Sequence, residues 1–106
     1  MREGDDSAEP ARPALNPLFH EPARLVILSA LAPAEYIDFA ALLLITGVSK
    51  SALSKHLSAL ADAGMVDVGQ TAADKRGRRV VLTGRGRAEF DVYLEALEAI
   101  VRNARR

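Results

Sequence analysis

The residues best suited to chemistry lie on one short stretch. Ser51, Ser54, Lys55, Ser58 and Asp62 recur at i, i+3, i+4, i+7 and i+11, which gathers them on one face of a helix, with Ser49 and Lys50 at its start. Hydroxyls both donate and accept, and the two ammonium groups beside them attract phosphate. Further along, Lys75, Arg76, Arg78 and Arg79 surround Gly77, with Asp74 offsetting part of their charge. The alternative for both groups is a polar surface that merely meets water. An ordinary exposed helix, however, carries glutamates and mixed ion pairs where this one carries serines.

Other chemistries find no support. His20 and His56 are the only histidines, cysteine is absent, and Glu89 and Asp91 have no histidine four residues away, so no metal site is expected. His56 is instead expected to pack or hydrogen-bond within its own helical unit. No G-x-S-x-G, phosphate-binding P-loop or H-E-x-x-H occurs, and Gly84-Arg85-Gly86 is too short for a nucleotide loop, so neither an enzyme nor a cofactor is expected. The lack of cysteine also excludes disulfides and iron–sulfur clusters and suits a reducing compartment. The longest apolar run, Phe39 to Ile45, falls far short of the roughly 18 residues of a membrane span. The acidic first ten residues do not resemble a signal peptide, and a cytoplasmic location is expected.

The chain of 106 residues has a formal net charge of zero, but that neutrality is an average. Residues 1–21 carry net −3, residues 47–87 net +5 and the remainder net −2. A phosphate ligand responds to the local potential, so the middle block serves as an electrostatic footprint in spite of the total.

The elements that must position these groups follow from the apolar pattern. Residues 1–14 hold acidic residues, Pro10 and Pro13 and almost no bulky apolar side chain, which predicts a disordered tail; one folded domain is expected over 15–106. Leu15, Leu18 and Phe19 suggest an anchoring turn. Pro22 opens a helix through Leu31 that is apolar nearly all round and predicted to be buried. A second helix is expected over 34–46 with Ile37, Ala40, Ala41, Leu44 and Ile45 as its inward stripe, stopped by Gly47. Ser49 caps a third helix to Ala63, whose Leu53, Leu57, Leu60 and Ala61 face inward. Met65–Gln70 and Arg78–Thr83 alternate as two antiparallel strands, and Thr83 caps a last helix reaching the C-terminus. Its stripe of Phe90, Tyr93, Leu94, Leu97, Ile100 and Val101 is longer than so small a domain needs. A second copy of the chain is expected to cover it, with Leu15, Leu18 and Phe19 closing over the seam.

Helix, helix, tight turn, helix, basic hairpin and long helix is the order of a winged helix-turn-helix, a mainly α, α+β fold with a two-stranded wing. Leu53-Ser54-Lys55-His56-Leu57, Leu60, Ala63-Gly64-Met65-Val66, Lys75-Arg76-Gly77-Arg78-Arg79 and Leu82-Thr83-Gly84-Arg85-Gly86-Arg87 resemble the winged-helix transcriptional regulators of the ArsR/MarR-like class. The resemblance spans roughly Leu15 to Val101. It implies that the third helix enters the major groove of double-stranded DNA, with Ser49, Lys50, Ser51, Ser54 and Lys55 as contacts. It also implies that Lys75, Arg76, Arg78 and Arg79 reach the flanking backbone or minor groove. Arg78 and Arg79 are adjacent in a strand and point to opposite faces, so one meets DNA while the other pairs within the protein. Arg85 and Arg87 either touch phosphate or are solvated. The implied function is a homodimeric repressor on an inverted repeat. Two alternatives remain open: a protein-interaction module binding an acidic partner, and an effector-gated regulator with a small ligand in a cleft lined by Tyr36, Phe39, Phe90 and Tyr93, aromatic residues that core packing also explains.

Overall fold

The computed structural model describes residues 15–70 and 77–106. Its elements are α1 (Pro22–Leu31), β1 (Ile37–Asp38), α2 (Phe39–Thr46), α3 (Lys50–Asp62), β2 (Val66–Gln70), β3 (Arg78–Leu82) and α4 (Gly84–Ala104). The expected acidic tail over residues 1–14 lies outside the described residues.

α1 starts where Pro22 has no amide to satisfy, and the Glu21 carboxylate caps it by accepting from the Arg24 amide at 3.1 Å. Ile27, Leu28 and Leu31 are buried, but Val26 is 41% exposed, so α1 is covered on one side and not all round as expected.

α2 departs further from its expected course. The helix begins only at Phe39, because Ile37 and Asp38 are extended and pair antiparallel with Val80 and Arg79 at the edge of β3. That pairing satisfies backbone groups β3 would otherwise leave open and extends the expected two-stranded wing to a three-stranded sheet, ordered β1-β3-β2. The inward face differs as well: Leu42 is fully buried, whereas Leu44 is 86% and Ile45 49% exposed. A segment reading Phe-Ala-Ala-Leu-Leu-Leu-Ile is apolar on every side, so periodicity does not choose a face and packing does. Gly47, at φ 71°, turns the chain out of α2 and donates its amide to the Leu43 carbonyl at 2.9 Å.

α3, the hairpin and α4 follow the expected boundaries to within one or two residues. Ser49 caps α3 by accepting from the Ala52 amide at 3.1 Å, and Leu53, Leu57 and Leu60 are buried. In the hairpin Val66 faces Leu82 and Val68 faces Val80, which puts Val66, Val80 and Leu82 in the core. The Thr83 hydroxyl donates to the Gly64 carbonyl at 2.7 Å and accepts from the Gly86 amide at 2.9 Å, locking the start of α4 to the turn after α3. Gly86 is buried at this contact, and a Cβ there would collide with the Met65 carbonyl.

The core closes on an aromatic trio. Phe19 packs edge-on against Phe90 at 5.9 Å and Tyr93 at 5.6 Å between ring centres, and Phe90 stacks on Tyr93. Phe19, Phe90 and Tyr93, expected in a subunit interface, are each at most 1% exposed and pack within the chain's own core. Leu15, Leu18, Leu94 and Leu97 pack partly against this core, while Ile100 and Val101 are 38% and 45% exposed. Among the described residues no helix is long and apolar enough to cross a membrane.

Candidate nucleic-acid interface

The amphipathic pattern of α3 dictates the layout of the site. With Leu53, Leu57 and Leu60 held inside, Ser49, Lys50, Ser51, Lys55 and Ser58 are exposed on the opposite side. The Ser49 hydroxyl caps the helix and lies 3.4 Å from that of Ser51, and both sit at the end where the helix dipole is positive. Ser54 is half-buried because it borders a groove of about 180 Å³ between α3 and the sheet, lined also by Ser58, Asp62, Val68 and Arg78.

Of the four expected wing cations, Lys75 and Arg76 lie outside the described residues, as does Asp74. Arg78 and Arg79 do point to opposite faces, but each rests on an aromatic ring. The Arg78 guanidinium lies 4.2 Å from the centre of the Phe39 ring and that of Arg79 4.0 Å from the Tyr36 ring. Tyr36 and Phe39 bracket β1, and neither was singled out for this role. The signal was there, since an aromatic residue on each side of a short extended pair can serve both faces of a neighbouring strand. The four rings expected to line one cleft thus divide, Phe90 and Tyr93 into the core and Tyr36 and Phe39 under arginines.

Arg85 and Arg87 are engaged elsewhere. Arg85 pairs with Glu89 at 3.1 Å one turn along α4, and Arg87 donates to the Ala32 carbonyl at 2.8 Å, closing the end of α1.

His56 is structural, on the inner flank of α3. Its Nδ1 lies 3.1 Å from the Arg24 Nε, which can only donate, so Nδ1 accepts and the neutral ring carries its proton on Nε2, 3.9 Å from the Glu21 carboxylate. Arg24 also donates to the Leu18 carbonyl at 3.2 Å. This chain of contacts ties α3 to α1 and to the turn before it. Sequence reasoning left Arg24 without a role, because His56, its partner in α3, lies 32 residues along the chain. A second long-range bond, 2.8 Å between His20 Nδ1 and the Tyr93 hydroxyl, holds that turn to α4, and burial pushes the Tyr93 phenol up. Among the described residues no three histidine or carboxylate groups come together to hold a metal.

The fold is shared with solved structures. A transcriptional regulator homologue from Pyrococcus horikoshii OT3 superposes with TM-score 0.75 and 26% identity, over 82% of this chain and 87% of that one. YusO from Bacillus subtilis gives TM-score 0.74 and 21% identity, over 82% of this chain and 62% of its own. A mutant of MarR from E. coli, solved in complex with operator DNA, gives TM-score 0.58 and 28% identity, over 68% of this chain and 49% of that one. The chain thus spans most of the archaeal homologue but only about half of MarR. A search of curated protein sequences finds no significant match. Residues 23–101 match the model of the winged helix DNA-binding domain, a non-enzymatic class, and the match covers well over half of the sequence. The chain therefore belongs to the winged helix DNA-binding domain family.

Proposed function

We propose that the protein is a homodimeric, sequence-specific repressor that occupies promoter DNA in the cytoplasm and blocks polymerase. The observation that carries this reading is the outer face of α3: Ser49, Lys50, Ser51 and Lys55 are exposed at the positive end of a helix whose opposite side is anchored by three buried leucines. Short hydroxyl side chains let the helix approach base edges, Ser51 and Ser54 supply donors and acceptors there, and the lysines reach phosphates. Lys75 and Arg76, with one of Arg78 and Arg79, would supply the flanking contacts. The operator-bound MarR relative is consistent with this assignment.

Dimerisation is supported by α4. Val92 is 65% exposed beside an apolar groove of about 530 Å³ that includes Leu15 and Pro17, and a second groove of about 360 Å³ runs along Leu94, Leu97 and Val101. A second copy related by a two-fold axis covers such a helix face and sets two recognition helices one DNA turn apart, roughly 34–36 Å.

Selection of bound sequences from a random duplex pool tests the proposal. Enrichment of an inverted repeat is the expected result. Enrichment of an asymmetric site would remove the dimer, and no enrichment at any salt concentration would favour a protein-interaction module instead.

A further inference from the structure

We propose that Phe39 is a positioning residue for DNA recognition: it holds Arg78 as a preformed contact at the mouth of the groove between α3 and the sheet, while Arg79 is committed to the opposite face. This inference rests on the DNA-binding reading of α3 and decides which of the two adjacent arginines takes part.

The geometry begins with β1. Its pairing of Ile37 with Val80 and Asp38 with Arg79 fixes the next residue, Phe39, beside β3 and under the Arg78 side chain. Arg78 shares its strand face with the buried Val80 and Leu82, so it emerges toward α3, where it lines the groove with Ser54, Ser58 and Asp62. Arg79 shares the other face with the partly exposed Val81, lies opposite Asp38 in the sheet and rests on Tyr36.

Stacking differs from ion pairing in what it leaves free. The ring attracts the flat face of a guanidinium, and the N–H donors, which lie in the plane of the group, remain available to a phosphate or a base edge. A salt bridge would consume those same donors. Phe39 therefore removes the rotamer freedom of a long side chain without blocking its chemistry, so less ordering is left to occur on binding. Lysine, with a compact ammonium and no flat face, would keep the charge and lose the register.

Binding to the selected operator, measured by fluorescence anisotropy over a salt series, tests this with four variants. Phe39→Leu keeps an apolar side chain but not the ring face, and should weaken binding by about three- to tenfold per protomer with an unchanged salt slope. Phe39→Tyr, which keeps the face, should restore wild-type affinity. Arg78→Ala should lower the salt slope by about one per protomer, and Phe39→Leu should add nothing on that background. Tyr36→Leu should leave affinity within about twofold, since Arg79 faces away. In the free protein, ring-current upfield displacement of the Arg78 Hδ protons by nuclear magnetic resonance should vanish in Phe39→Leu. Additive effects of Phe39→Leu and Arg78→Ala, or equal losses from Tyr36→Leu and Phe39→Leu, would overturn the platform while leaving DNA binding intact. Absence of operator binding by the unaltered protein would remove the DNA-binding reading and this inference together.

Discussion

Gly86 marks the closest approach of α4 to the turn after α3, and the side chain it lacks is the reason two elements can meet there. Gly86→Ala must push the Met65 carbonyl or the helix start aside, and thermal unfolding should report a loss of about 1–3 kcal/mol. Tyr93 tests a different kind of contact. Its hydroxyl is bonded to His20 and its ring is buried, so Tyr93→Phe should cost about 1 kcal/mol near neutral pH. Burial raises the phenol above its ordinary value of 10.0, which means the unfolded chain releases that proton first. The neutral phenol's contribution is thus fully present below that value and lost as pH rises through the higher folded one. Alkaline unfolding curves should show this decline, and it should be smaller in Tyr93→Phe.

Among the elements, α2 distinguishes packing from composition most clearly. Leu42 and Leu44 are two residues apart in the same apolar helix, yet one is fully buried and the other 86% exposed. Leu42→Ala should cost about 2–5 kcal/mol, and Leu44→Gln less than about 0.5 kcal/mol, in parallel chemical denaturation. Equal costs would mean that α2 is turned differently about its axis. The start of α3 adds a second lesson. Ser49 both caps the helix and stands among the proposed DNA contacts, so a loss of affinity on replacing it mixes helix fraying with lost readout. Ser51, whose hydroxyl does not cap the helix, separates the two.

For the whole molecule, the question is what covers α4. Phe90 and Tyr93 belong to the chain's own core, so the proposed subunit contact is built mainly from Leu94, Leu97, Ile100 and Val101, together with Val92 and Leu15 on the other flank. Replacing Leu97 and Val101 together with glutamate should give a folded monomer by analytical ultracentrifugation, because Leu97 is only partly covered within the chain and Val101 is 45% exposed. That variant should lose most operator affinity, since each half-site alone contributes only part of the binding free energy. A monomeric unaltered protein at tens of micromolar would refute the dimer.

Local rules carried the sequence reading a long way where they were unambiguous. Ser49 and Thr83 as caps, Gly47 as a stop, Pro22 as an opener and the leucines of α3 each have a preference set by their nearest neighbours, and those preferences hold in the fold. Alternation in Val66–Val68 and Val80–Leu82 likewise defined a hairpin from within. Tertiary structure decided whatever depended on a partner far along the chain. Ile37 and Asp38 became a strand only because β3 had an open edge, a fact that no local pattern contains. The inward face of α2 was chosen by α1, since a uniformly apolar segment has no face of its own. Phe19 and Tyr93 entered the core because the turn before α1 folds against α4, and Arg78 and Arg79 were assigned to separate rings by the register of β1. Periodicity reports that a face is apolar; the rest of the molecule determines what buries it.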